Sequence, residues 1–306
     1  MRFTRMTRIQ ILASAALFST SIFAQPLEAK LDHVVIAVHG LETARRVYSE
    51  LGFAVTPGGR HPGGTQNAVA GFSGGGYLEL LTPYDASLPG GSEVAKLLEH
   101  GEGAFQSGLQ IDSAERAARD LNAAGIKIKG PIPGTIMRPG DKEPPPTRWW
   151  IVGFVDEVSS RPVFLIQYVR DPASPRPPRP PHPNTASALS ALMIAVNDPE
   201  KAAASYGNIG KLSPTEIELP EFGAIAKEII LASGSIFLLR ATDPSGPTAQ
   251  RLKDQGEGIL GVRLAVTDLD ETRRAIRRKN VSKDEQSVLV SPENAAGTWL
   301  QFQAIR

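Results

Sequence analysis

With no cysteine among its 306 residues, this chain can build a metal site or an acid–base centre only from histidine, carboxylate and amide side chains. Two of its five histidines stand in one strand-like run, LDHVVIAVHG, from Leu31 to Gly40. Alternation along a strand puts Leu31, His33, Val35, Ala37 and His39 on one face and Asp32, Val34, Ile36 and Val38 on the other. At roughly 3.3 Å per residue His33 and His39 lie about 20 Å apart, too far to share one ion. In GYLELL, Tyr77, Glu79 and Leu81 share a face. A carboxylate on that face is costly to bury unless a cation or metal pairs with it, and unremarkable if the face is solvated. Glu79 is therefore a candidate ligand and a candidate base. His61 and Asn67 fall in the glycine-rich run GGRHPGGTQN, where backbone can approach a ligand closely or simply turn. Trp149 and Trp150 are neighbours, so only one of them can face a given side of a sheet. His100 and His182 sit in loop-like settings and read as solvated.

The elements that must position these groups recur. VIAVHGLETARRVYSELGF (35–53) reads as strand, turn and helix, with Gly52 where a helix C-terminus favours glycine. GLQIDSAERAARDLNAAGI (108–126) matches it without a gap, and LMIAVNDPEKAAASYGNIG (192–210) and VRLAVTDLDETRRAIRRKNV (262–281) repeat the outline. By that ungapped repeat Gln106 falls under His33. Strand-like runs follow each helix, so each copy is a βαβββ unit. The expected architecture is α+β: paired units forming curved mixed sheets, two units before and two after a proline-rich linker at 171–187. The first pair spans 30–170 and the second 188–306.

Composition excludes other partners. A net charge of +1, with basic residues spread along the chain, offers nothing to nucleic acid. Arg2, Arg5 and Arg8 precede an apolar run from Ile9 to Ala24 that is short for a bilayer. That pattern reads as a secretory signal peptide over 1–24, predicting a periplasmic or secreted chain without a membrane anchor after cleavage.

The paired βαβββ pattern, with LDHVVIAV opening and GYLELL closing its first unit, resembles the vicinal oxygen chelate superfamily, and GGRHPGGTQNAV resembles its glyoxalase-like branch. The resemblance implies a divalent ion (Zn, Ni, Mn, Co or Fe) inside the first curved sheet, held by His33, Glu79, Gln106 and Gln167. It further implies a small substrate with vicinal oxygens and proton transfer of the lyase or isomerase kind. Glu79 and His61 would move the proton, with Asn67, Trp149 and Trp150 against the substrate. The same fold also serves metal-free binding modules that sequester a ligand without chemistry. In the second pair Ala191 stands where His33 does, Leu238 where Glu79 does, and Gly261 opens the fourth unit, leaving Gln301 polar. Such side chains build no metal site.

Overall fold

The computed structural model describes residues 27–305 apart from 139, 144, 156–160, 171–178, 277–280 and 284–285. The signal-peptide segment and most of the linker lie outside the described residues. The first unit runs β1 (Lys30–Ala37), α1 (Leu41–Glu50), β2 (Thr56–Arg60), β3 (Thr65–Gly71) and β4 (Tyr77–Pro83). A connecting helix, α2 (Pro89–Leu98), leads to β5 (Gly103–Gln110), α3 (Ala114–Ala123), β6 (Ile128–Gly134), β7 (Trp149–Phe154) and β8 (Val163–Tyr168). The third unit has β9 (Ala186–Ala195), α4 (Pro199–Ala204), β10 (Lys211–Leu219), β11 (Ala224–Ile230) and β12 (Ser235–Ala241). After α5 (Pro247–Gln255) come β13 (Gly258–Val266), α6 (Leu269–Ala275), β14 (Val281–Lys283), β15 (Ser287–Val290) and β16 (Trp299–Ala304).

Local chemistry accounts for the helices. Ser113, Asp198 and Asp268 cap α3, α4 and α6 by accepting from backbone N–H groups three residues on. Gly52 and Gly125, the matching glycines of the first two repeats, take φ of 80° and 78° just past α1 and α3. On α3 the buried residues are Ala114, Ala117, Ala118 and Leu121, an i, i+3, i+4, i+7 stripe.

Each pair of units makes one curled eight-stranded mixed sheet, in the orders β2-β3-β4-β1-β5-β8-β7-β6 and β10-β11-β12-β9-β13-β16-β15-β14. The first strands of paired units meet antiparallel at the centre, and each pairs in parallel with the last strand of its own unit. One apolar cluster runs through both sheets, taking Val34 and Ile36 from β1, Leu109 from β5, Leu192 and Ile194 from β9, and Val262 and Leu264 from β13. Central strands touch across it, β1 on β9 and β5 on β13, so the sheets pack back to back with their other faces turned outward.

Several sequence expectations shift. The second strand is Thr56–Arg60, so the glycine-rich run is mostly strand with a short turn at His61–Gly64. Two connecting helices and β10 carry no alternation strong enough to announce them. His182, expected in solvent, is buried at 6 % exposure, with its ring edge-on to Phe53 and Phe72. Its Nδ1 accepts from the Ala54 N–H at 2.9 Å and its Nε2 reaches Gly71 O at 3.1 Å. Burial pulls its pKa below the usual histidine value. The end of the linker is thus fastened to the first sheet.

Candidate functional site

β1 carries a bulge where the alternation rule failed. Leu31 pairs with Leu109 and His33 with Gly108, leaving Asp32 as the extra residue. Leu31 therefore joins Val34 and Ile36 in the shared core, while Asp32 turns to the side of His33. Asp32 Oδ2 lies 2.7 Å from His33 Nδ1 and accepts from the Tyr168 hydroxyl at 2.6 Å. That hydroxyl is 3.2 Å from the Tyr77 hydroxyl. Burial raises the Tyr77 pKa well above its ordinary value, as does the negative potential of Tyr168, Glu79 and Asp32, so Tyr77 keeps its proton. His33 is 2 % exposed and stacks on Tyr77 with centroids 4.5 Å apart. Clamped by Asp32 through Nδ1, it presents Nε2 outward. Gly108 makes the room: a Cβ there would lie 2.2 Å from His33 Cε1.

Nε2 faces Glu79. His33 Nε2 is 3.7 Å from Glu79 Oε2, and His61 Nε2 is 4.0 Å from Glu79 Oε1, both beyond hydrogen-bond reach. Glu79 is buried, and Asn67 donates to its Oε1 at 2.6 Å. Asn67 Oδ1 in turn accepts from Gly59 N–H at 3.0 Å, so both ends of that amide are engaged. Asn67, expected to touch substrate, lines the cavity and also ties Glu79 to β2, with Gly58 leaving it space. His61 Nδ1 meets Thr65 Oγ1 at 2.9 Å, its ring sits edge-on to Trp149, and burial lowers its pKa against the opposing pull of Glu79. His39 is an exposed rim residue whose backbone N–H donates to Glu102.

These groups line one side of a cavity of about 1650 Å³ on the outer face of the first sheet. Val35, Leu81, Phe105, Phe164, Ile166 and Trp149 supply apolar wall. The β6–β7 connection crosses over it, and Met137 exchanges two 2.8 Å backbone hydrogen bonds with Arg60, bridging the two edges of the curled sheet. Trp150 packs on the shared core instead, which removes it from the substrate-contact set.

The donor set implied for a metal ion does not assemble. Gln106 lines the cavity, but Gln167 Oε1 accepts from Ala114 N–H at the start of α3, on the helix side of the sheet. The two units explain this. Val35 pairs with Glu79 in the first as Gly108 pairs with Phe164 in the second, so Phe164, not Gln167, is the counterpart of Glu79. Gln167 lies three residues past Phe164, and any odd offset along a strand moves a side chain to the opposite face. Among the described residues no group of three or more His, Asp or Glu side chains is set to hold an ion. Phe164 has no donor, and the residues present do not fit the four-ligand site. Asp32 was hidden by strict alternation, and Tyr168 by the choice of its neighbour Gln167, which faces the other side of the strand.

Known proteins place this arrangement. A hypothetical protein from Staphylococcus aureus superposes over 90% of this chain and 100% of its own, with TM-score 0.60 at 12% identity. A triple mutant of 4-hydroxymandelate synthase from Streptomyces coelicolor superposes over 92% and 93%, with TM-score 0.57 at 15% identity. At such identities the likeness is one of fold. No curated protein is significantly similar in sequence. Residues 31–210, more than half of the chain, match the model of the glyoxalase-like domain, and the chain belongs to that family.

Proposed function

We propose that the protein is an enzyme that moves a proton on a small molecule bearing adjacent oxygens. One observation carries this reading: a buried carboxylate, Glu79, faces a cavity with an imidazole nitrogen on either side of it at 3.7 and 4.0 Å. A substrate oxygen or carbon docked against Glu79 from the cavity meets a base and two imidazoles. Glu79, steadied by Asn67, takes the proton from carbon. His61, held through Nδ1 by Thr65 and with Nε2 4.0 Å from Glu79 Oε1, receives that proton from Glu79 and passes it to the neighbouring carbon or oxygen. His33, whose Nδ1–H is held by Asp32, presents the Nε2 lone pair as an acceptor for a substrate hydroxyl. No step is routed through a metal ion, because the residues present do not assemble the implied site. The basic, apolar N-terminal run supports export as part of this proposal; no helix among the described residues is long and apolar enough to cross a membrane.

The test is exchange of C–H for C–D in deuterium oxide, followed by NMR over a panel of 2-hydroxy and 2-oxo carbonyl compounds. Wild type is expected to catalyse exchange in at least one, with Glu79→Gln slower by about 10²–10⁴-fold and His61→Gln slower by a smaller factor. Exchange that persists unchanged in Glu79→Gln would sink the reading. Sequestration without chemistry is the second reading, favoured by the size of the cavity, and binding without exchange would select it.

A further inference from the structure

We propose that the cavity selects an organic carboxylate with a bulky apolar body, its head read by arginines. This deepens the proposed function and rests on the same cavity being the working site. Arg138, Arg148, Arg170 and Arg179 line the cavity, against a single lining carboxylate among the described residues, Glu79. In a chain of net charge +1 that concentration is local, not a general property of the surface. The ion pairs found among the described residues involve none of the four. The Arg148 Nε–H has no acceptor among the described residues, and its side chain lines the cavity, so that guanidinium keeps donor capacity unspent there. Arg179 is held rigid: its guanidinium donates to Phe72 O and Gly76 O and lies 5.8 Å from the ring of Tyr77, which stacks on His33. A fixed cation therefore stands beside the proton-transfer centre.

The body follows from the walls. Trp149, Phe105, Phe164, Ile136 and Ile151 are matched to flat or branched hydrocarbon, not to a chain of hydroxyls. At about 1650 Å³ the space exceeds the roughly 300–1,000 Å³ common for small-ligand sites. A three-carbon substrate alone would leave most of it to water.

Calorimetric titration of the full chain with 2-naphthoate, its neutral isostere 2-naphthamide and inorganic phosphate decides the matter. Naphthoate is expected to bind about tenfold or more tightly than naphthamide, and the gap should narrow with salt. Arg148→Gln, and the exposed Arg170→Gln, which disturbs no core, should each weaken naphthoate about fivefold while leaving naphthamide unmoved. Equal affinities for the two probes, no naphthoate binding below about 1 mM, or indifference to both arginine variants would overturn the proposal. Phosphate displacing naphthoate at lower concentration than benzoate does would also overturn it, assigning the head to phosphate. Glu79→Gln separates this inference from the proposed function. If naphthoate binding survives in it while no exchange is found in wild type, the carboxylate site stands and proton transfer falls.

Discussion

The outer faces of the two sheets occupy the same place in the repeat and have opposite contents. In the first sheet His33 sits across from Gly108, and the glycine leaves the space the imidazole ring fills. In the second, Ala191 sits across from Arg263, so the small and large residues have changed strands. Glu79 answers to Phe237, since Val35 pairs with Glu79 as Met193 pairs with Phe237. This corrects the expected counterpart, Leu238, which belongs to the core shared by the sheets. Phe237 joins Met193, Phe222, Leu239, Leu260 and Leu289 in a closed apolar cluster. Arg263 lies over the Phe237 ring at 4.7 Å and donates to Gln301, which donates to Glu221. Gln301, at the position of Phe164, is thus spent inside a filled face. One repeat leaves its face open as a cavity, and its twin fills the same face with apolar side chains.

The largest expected effect lies on the filled side. Phe237→Ala should destabilise the protein by about 3–5 kcal/mol in denaturant unfolding and leave probe binding at the first sheet intact. A small loss, or weakened binding, would break the division between the faces. Next comes Gly108→Ala. Its Cβ would collide with the His33 ring, so a cost of about 1–3 kcal/mol is expected, together with loss of proton exchange. Adding His33→Ala should recover stability but not exchange, because the ring that the new Cβ strikes is gone. A double variant as unstable as Gly108→Ala alone would show that the His33 ring is not the reason for the glycine.

The smallest effect concerns His182, which fastens the linker to the emptied sheet. Its folded pKa is lowered by burial, so the neutral form is favoured in the fold and the unfolded chain binds the proton first as pH falls. The stability that His182 contributes is therefore complete above its unfolded value of about 6.5 and declines as pH drops toward its folded value. For one proton the slope is at most about 1.4 kcal/mol per pH unit. Unfolding curves of wild type and His182→Gln should converge on acidification over that range. A constant difference would place the charge-sensitive contact elsewhere.

Short-range chemistry was legible in the sequence. The four repeats, Gly52 at its helix end, the α+β class and the placing of His33 and Glu79 on strands follow from spacing and local preference, which a residue carries with it. What only the tertiary structure decided depends on partners distant in sequence. The bulge at Asp32 exists because β1 pairs with β5, and it is what brings Asp32 to His33. Register with β5 sends Gln167 to the helices and Phe164 to the cavity. His182 is buried because β3 and the end of α1 supply Gly71, Phe72 and Phe53 around it, though its own neighbours are prolines. Whether a sheet face is empty or filled is set by which residues meet across strands, and one strand read alone holds half of each pair.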